Sequence, residues 1–367
     1  MRILWLKSDY VVPPDTGGKI RSYNLLCALN RLADVDYVSF RPCATPEQLP
    51  EEKRFAKRIV TFYRAEENKR GIGFACRVLA GMRSRLPYTV QKYRSSRIRE
   101  AQRAWHDQSD VSSDGSPALV LCDFLEMGEN VNWEVPCPKV LFQHNVESVI
   151  WQRYYENETH PAKKAYFRFE SARMRRYESA ICNRFDLVLT VSENDKRVLL
   201  ESLGVRAPIE VIDTGVDTAY FSALPDIEIT RKQILFLGSL DWMPNIHGLL
   251  WFTSQVYPLI KHAIPEATLR VVGRRPVPEV LRLQALDPSI RIVADVPDVR
   301  PHVATCELFV VPLHIGGGTR IKIYEAMAMA RSVVSTSIGA EGLPMRANEH
   351  LLLADITADF AHSVGDC

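Results

Sequence analysis

Three consecutive glycines, Gly316, Gly317 and Gly318, run into a strongly helical segment that opens with Thr319, Arg320 and Lys322. A helix N-terminus carries roughly +0.5 of an elementary charge, and a cation there is unfavourable by about 0.3–1 kcal/mol. The placement makes sense where a strongly negative ligand occupies the same spot. Glycines let backbone N–H groups approach such a ligand closely. Thr319 is the expected N-cap, because its hydroxyl can accept from a free N–H of the first turn. Glu325 lies one turn beyond Ile321 on the same face, and a carboxylate just past a phosphate cradle suits hydrogen bonds to a ribose diol. The order of residues matches neither GxxxxGK[ST] nor GxGxxG. Taken alone, a glycine-rich turn followed by a helix with surface charges explains the segment equally well.

Two further groups share this logic. In "VVPPDTGGKIRSYNLLCAL" (11–29), Asp15, Gly17 and Gly18 form a loop between a first strand and a helix, with Lys19 and Arg21 again in the first turn. The loop reads as an anion or sugar site, or as an ordinary strand-to-helix turn. His144 follows directly on the apolar run "VLFQ" (140–143), at the carboxyl end of a buried strand. A lone histidine there is a structural core residue or one that faces a ligand. The Asp34–Val35–Asp36 triplet has the form of a metal-binding DxD, but its setting is a strand.

Short β-branched runs alternate with helical segments along the whole chain, which predicts parallel sheets with crossover helices. Strands are expected at 2–6, 35–40, 58–63, 118–122, 139–143 and 186–191. After a break at 211–226, a second series follows at 233–238, 267–273, 290–294, 308–312, 332–336 and 350–353. The fold class is α/β, with two doubly wound Rossmann-like halves facing a central cleft. The boundary is expected after residue 222, giving domains 1–222 and 223–367. Ligands of such sheets bind at the carboxyl ends of the strands, where both glycine loops and His144 fall.

The chain has 367 residues, is 46% apolar and 25% charged, and carries a net charge of +2. These values fit a soluble protein of two domains. No apolar run reaches the roughly 20 residues of a membrane span. The N-terminal "MRILWLKSDY" is interrupted by Lys7 and Asp9, so it reads as a buried strand and not as a signal peptide. The eight cysteines show no paired spacing, which predicts reduced thiols in a cytoplasmic protein and no zinc site. Charge is uneven: Lys53–Arg103 holds fifteen Lys/Arg against three acidic residues. This is either a solvated helical face or a surface for anionic lipid or an anionic lipid-linked substrate. Nothing matches a nucleic-acid module, so no nucleic-acid partner is expected.

Taken in order, these motifs resemble the family 4 glycosyltransferases of the GT-B fold. "PPDTGGKIRSYNLL" looks like the family's N-terminal glycine loop, and "FQHN" looks like its central His motif. "LTVSENDKRVL" and "VIDTGVDTAYF" are similar to the last strand and hinge of the first domain. "GSLDWMPNIHGLLWF" resembles the opening of the second domain. The stretch from "VPDVRPHVATCELFVVP" through "HIGGGTRIKIYEAMAMA" to "SIGAEGL" is similar to bacterial members linked to exopolysaccharide and exosortase systems.

The resemblance implies transfer of a sugar from a nucleotide diphosphate donor to a glycan or lipid-linked acceptor. Configuration is retained, and no cofactor or metal is bound. It implies that Glu325 binds the donor ribose and that the backbone of Gly316, Gly317, Gly318 and Thr319 holds the diphosphate. Asp15, Gly17 and Gly18 close on donor phosphates or acceptor, and His144 lies beside the transferred sugar. Many members carry an acid eight residues before the Glu, where this chain has Gly317. Many carry Arg and Lys in the loop opening the second domain, where "GSLDWMPNIHG" has neither, which leaves Arg320 and Lys322 to supply the charge. The C-terminal domain is expected to lack the family's usual final helices. The implied setting is cytoplasmic, peripheral at the inner face of the plasma membrane. Two other readings remain open here: a nucleotide-sugar 2-epimerase on the same fold, and a non-catalytic partner subunit that binds nucleotide-sugar.

Overall fold

The computed structural model describes residues 1–42, 52–65, 71–110, 118–224 and 226–365. Contacts divide the chain into two compact units, Met1–Asp213 and Thr214–Cys367. The sequence places the division after residue 222. Residues beyond Asp213 join the second unit through their side chains. Thr214 is hydrogen-bonded to Thr319, Tyr220 lies under the Arg300 guanidinium at 3.8 Å, and Phe221 packs on the second unit's core.

The first unit is built on seven parallel strands: β1 (Arg2–Lys7), β2 (Asp34–Arg41), β3 (Arg58–Tyr63), β4 (Ala118–Asp123), β5 (Lys139–Phe142), β6 (Leu187–Thr190) and β7 (Ile209–Val211). Their spatial order is β3-β2-β1-β4-β5-β6-β7. Strand β7 lies just ahead of the break at 211–226 and is not among the expected strands; its three residues are too few to carry a period. The strands are apolar on successive residues because both faces are covered. Leu4 and Leu6 pack into one core with Val120 and Leu141, while Ile3 and Trp5 pack into the other with Leu121 and Phe142. This is the pattern of a sheet with helices on both sides.

The second unit has six parallel strands: β8 (Thr230–Leu237), β9 (Thr268–Gly273), β10 (Ile290–Ala294), β11 (Cys306–Val311), β12 (Ser332–Ser335) and β13 (Leu352–Leu353). The order β10-β9-β8-β11-β12-β13 is the 3-2-1-4-5-6 order of the Rossmann fold. Ile234, Phe236 and Val310 face one core, and Leu235, Leu237 and Phe309 face the other. The last helix, Thr357–Gly365, seats Phe360 against Trp251 and Phe252.

In each sheet the order reverses between the first and fourth strands, β1/β4 and β8/β11. Connections run to opposite faces there, which opens a crevice at the carboxyl ends of the strands.

One expectation lies partly outside the described residues: residues 66–70 interrupt the basic segment. Within the basic segment, Arg54, Arg77, Arg83, Arg85, Arg94 and Arg97 are exposed. So is Leu79, on the helix Ile72–Gly81. Among the described residues no helix is long and apolar enough to cross a membrane.

Candidate active site

In the first unit the register of β1 and β4 sets Lys7 directly opposite Asp123, at the last residue of each strand. Both are buried, and Lys7 Nζ donates to Asp123 Oδ2 at 2.9 Å. The same oxygen accepts from Trp5 Nε1 at 2.9 Å and from Ser22 Oγ at 2.6 Å. Ser22 sits on the helix Gly17–Leu29, which Thr16 caps by accepting from the Lys19 N–H. Asp123 Oδ1 lies 2.6 Å from His144 Nε2. Burial pushes the Asp123 carboxyl up, but the Lys7 ammonium, the His144 ring and the Ser22 hydroxyl outweigh it and hold it well below the usual carboxylate range. Burial lowers His144 to about 4; Lys7 and Arg21 act in the same sense and Asp123 opposes them. His144 is therefore neutral at pH 7 and side-by-side with a charged carboxylate.

Phe124 fixes the ring. It stacks on His144 with centroids 4.0 Å apart and planes 4° from parallel, and Lys7 Nζ lies 4.2 Å from its centroid. Its φ of +77° is unusual for a bulky residue and costs of order 1–3 kcal/mol. Gly18 lies against the Phe124 edge; a Cβ there would sit 2.6 Å from Cζ. The structure thus brings Gly18 and His144 together through Phe124. Asp15 pairs with Lys19 at 3.3 Å, and Arg21 is turned onto the Ile212 carbonyl and the Phe142 ring.

The second unit carries the triple-glycine segment after β11. Gly316 and Gly318 take φ of +147° and +65°, which side-chain-bearing residues rarely adopt. The helix runs from Ile321 to Ala328, so Arg320, and not Thr319, is its N-cap, without a capping side-chain bond. The Thr319 hydroxyl is engaged with Thr214 instead. Arg320 folds back over Gly316, and its Nη1 donates to the carbonyls of Gly317 and Gly318. Lys322 Nζ donates to the Leu237 carbonyl at 2.8 Å and to Asn245 Oδ1 at 3.3 Å. Both cations therefore lie on carbonyl-type oxygens, which offsets their poor position at a helix N-terminus. Leu237 ends β8, so Lys322 sits at the β8/β11 reversal.

Burial lowers Lys322 to about 7, with Arg320 adding to the effect and Glu325 opposing it. Burial raises Glu325 to about 7 against the pull of Lys322. The Glu325 side chain has no hydrogen-bond partner among the described residues, and the residue is 7% exposed.

Sequence reasoning missed Lys7, Ser22, Asp123 and Phe124. The available signal was a charged residue closing each of two buried strands, "RILWLK" and "ALVLCD". The Asp34/Asp36 pair is structural: Asp34 pairs with Lys57, and Asp36 accepts from Arg58 and Trp105. Among the described residues no group of three or more His, Cys, Asp or Glu is placed to hold a metal ion.

The Glycosyltransferase Family 4 description matches residues 125–220, and Glycosyl transferases group 1 matches residues 231–367. A 44.6 kDa protein of the cps region of Klebsiella pneumoniae is 26% identical over 236 residues, which are 62% of this chain and 58% of that protein's length. Sucrose-phosphate synthase from Thermosynechococcus elongatus has a similar fold, with TM-score 0.71 and 16% identity over 100% of this chain and 89% of the other. Anabaena HepE, solved with UDP and glucose, gives TM-score 0.65 and 14% identity, covering 100% of this chain and 89% of the other. The two matched segments lie in the order in which their motifs occur, on two Rossmann-like domains, and the chain belongs to the family 4, group 1 glycosyltransferases of the GT-B fold.

Proposed function

We propose that the protein transfers a sugar, with retention of configuration, from a nucleoside diphosphate donor to a glycan or lipid-linked acceptor in cell-envelope polysaccharide synthesis. One observation carries the reading. At the β8/β11 reversal, a glycine loop with two left-handed residues leads into a helix bearing Glu325, a buried carboxyl group without a hydrogen-bond partner among the described residues. A ligand that offers two hydroxyl donors and a diphosphate matches both features. HepE's complex with UDP and glucose supports the donor class, and the cps-region relative supports the polysaccharide setting.

In this reading Glu325 accepts hydrogen bonds from the ribose diol, and the N–H groups of Gly316–Thr319 take the diphosphate. Arg320 holds the loop's shape through the Gly317 and Gly318 carbonyls. Lys322 stabilises the charge that builds on the departing diphosphate as the sugar–phosphate bond opens. His144 contacts the sugar being moved, and the Asp15–Gly18 loop contacts acceptor or donor phosphate. No metal takes part, because the cations are the protein's own. The basic Lys53–Arg103 segment draws the protein to an anionic membrane surface that carries the acceptor.

A panel of nucleotide sugars, screened by thermal shift and then by turnover with and without EDTA, tests the proposal. The expected result is consumption of one donor class, with the anomeric configuration kept in the product and the rate unchanged by EDTA. A rate abolished by EDTA and restored by Mg²⁺ or Mn²⁺ would contradict the metal-free account. Donor binding without any consumption would contradict the transferase reading.

A further inference from the structure

We propose that Asp123 is a positioning residue that fixes His144 in the Nε2–H tautomer and so presents the Nδ1 lone pair to a hydroxyl of the substrate. The inference rests on the reading in which His144 contacts the transferred sugar. The geometry divides the Asp123 carboxylate in two. Oδ2 is saturated by Trp5, Lys7 and Ser22, and Oδ1 has His144 as its partner. An ionised carboxylate only accepts hydrogen bonds. A contact of 2.6 Å to Nε2 therefore requires the proton on Nε2. The ring is neutral, so Nδ1 carries the lone pair. Nδ1 has no hydrogen-bond partner among the described residues.

The ring has no freedom to present Nδ1 elsewhere. Phe124 covers one face and Phe142 tilts against it with centroids 4.3 Å apart. A ring flip would put a carbon where Nε2 meets Oδ1 and leave that oxygen unpaired in a buried site. The charged groups acting on the ring are Asp123, Lys7 and Arg21. Lys7 keeps Asp123 ionised, and both cations disfavour an imidazolium. A buried Lys–Asp pair contributes little to stability, because desolvation offsets much of its attraction. Its placement at the last residues of β1 and β4 accounts for it better as a support for one ring orientation. The same pairing of a buried carboxylate with an imidazole fixes tautomers in unrelated hydrolases, where Asp-to-Asn substitution produces the wrong tautomer.

Histidine-selective ¹⁵N NMR of the full chain tests this directly, with His144→Gln assigning the resonance. The expected wild-type spectrum shows one neutral tautomer, Nε2–H, that does not protonate between pH 5.5 and 8. Asp123→Asn can donate to Nε2 through its amide, and should shift the tautomer ratio toward Nδ1–H by about tenfold or more. With the nucleotide sugar that supports turnover, the same variant should lower kcat by about tenfold or more, with the donor KM within about threefold. A wild-type Nδ1–H tautomer would overturn the inference, as would an unchanged ratio in folded Asp123→Asn. A variant whose folded fraction keeps the wild-type kcat would overturn it too. If Asp123→Asn does not fold, the wild-type tautomer decides alone. The spectrum needs no turnover, so failure to consume any nucleotide sugar would contradict the proposed function separately.

Discussion

Lys322 and Glu325 sit three residues apart on one helix, and burial moves both to about 7 from opposite directions. Their proposed roles then respond oppositely to pH. Ribose hydroxyls donate to an ionised carboxylate, so uridine affinity should rise as pH increases through 7. The additional affinity contributed by a diphosphate needs the charged ammonium, so it should fall over the same range. Calorimetry of uridine and UDP at pH 6, 7 and 8 measures both trends. Lys322 also makes a stability prediction without ligand. Its folded value lies below the ordinary 10.5, so between about 7 and 10.5 the unfolded chain binds more protons and stability rises with pH. Lys322→Met removes this dependence. Its stability should be no lower than wild type at pH 7, with a flatter profile up to pH 10 in denaturant titrations. An unchanged profile would mean that Lys322 is not perturbed in the fold. At this scale the sequence was legible where residue types were out of place. Three adjacent glycines and a histidine at a strand end stand out. Asp123 and Lys7 do not, because each reads as a polar strand terminus. Their pairing spans 116 positions and exists only once β1 and β4 are in register.

The elements were legible for a physical reason: strands covered on both faces must be apolar on successive residues. The short β7 escaped because three residues hold no such run, and Glu210 in its centre is exposed. Thr319 had the chemistry of an N-cap, but its hydroxyl bonds to Thr214, 105 residues away, and the helix starts later. Tertiary contacts outranked a local preference in that case. The strand ends of the second unit are close enough for a direct test. A Cβ on Gly273, the last residue of β9, would fall 1.9 Å from the Gly238 carbonyl oxygen, which is backbone and cannot swing away. Gly273→Ala should destabilise the protein by at least the roughly 1–3 kcal/mol typical of overpacking, read as a lower denaturation midpoint with an unchanged m-value. A midpoint equal to wild type would show that the β8 and β9 ends are not packed this closely.

At the scale of the whole molecule, each sheet reverses its order once, and the candidate residues gather at the carboxyl end of that reversal. Lys7 and Asp123 close β1 and β4; Lys322 reaches the end of β8 from the segment after β11. The proposed contact of the basic segment with an anionic membrane rests on its exposed arginines and on Leu79. Co-sedimentation with vesicles should increase with phosphatidylglycerol content and fall with salt, because clustered cations gain about 1 kcal/mol each near such a surface. Equal binding to neutral phosphatidylcholine vesicles would contradict it. The proposed function stands or falls with Gly316–Glu325 as a nucleotide site in which Glu325 holds the ribose. Calorimetry of wild type and Glu325→Ala with UDP and 2′-deoxy-UDP tests it most directly. Hydrogen bonds to a charged group contribute about 1.5–3 kcal/mol each, so Glu325→Ala should weaken UDP by about ten- to a hundred-fold. Removing the 2′-hydroxyl should weaken wild type but leave the variant indifferent, since the partner is already gone. A variant that binds UDP as wild type does, or that still discriminates against 2′-deoxy-UDP to the full extent, would contradict the account.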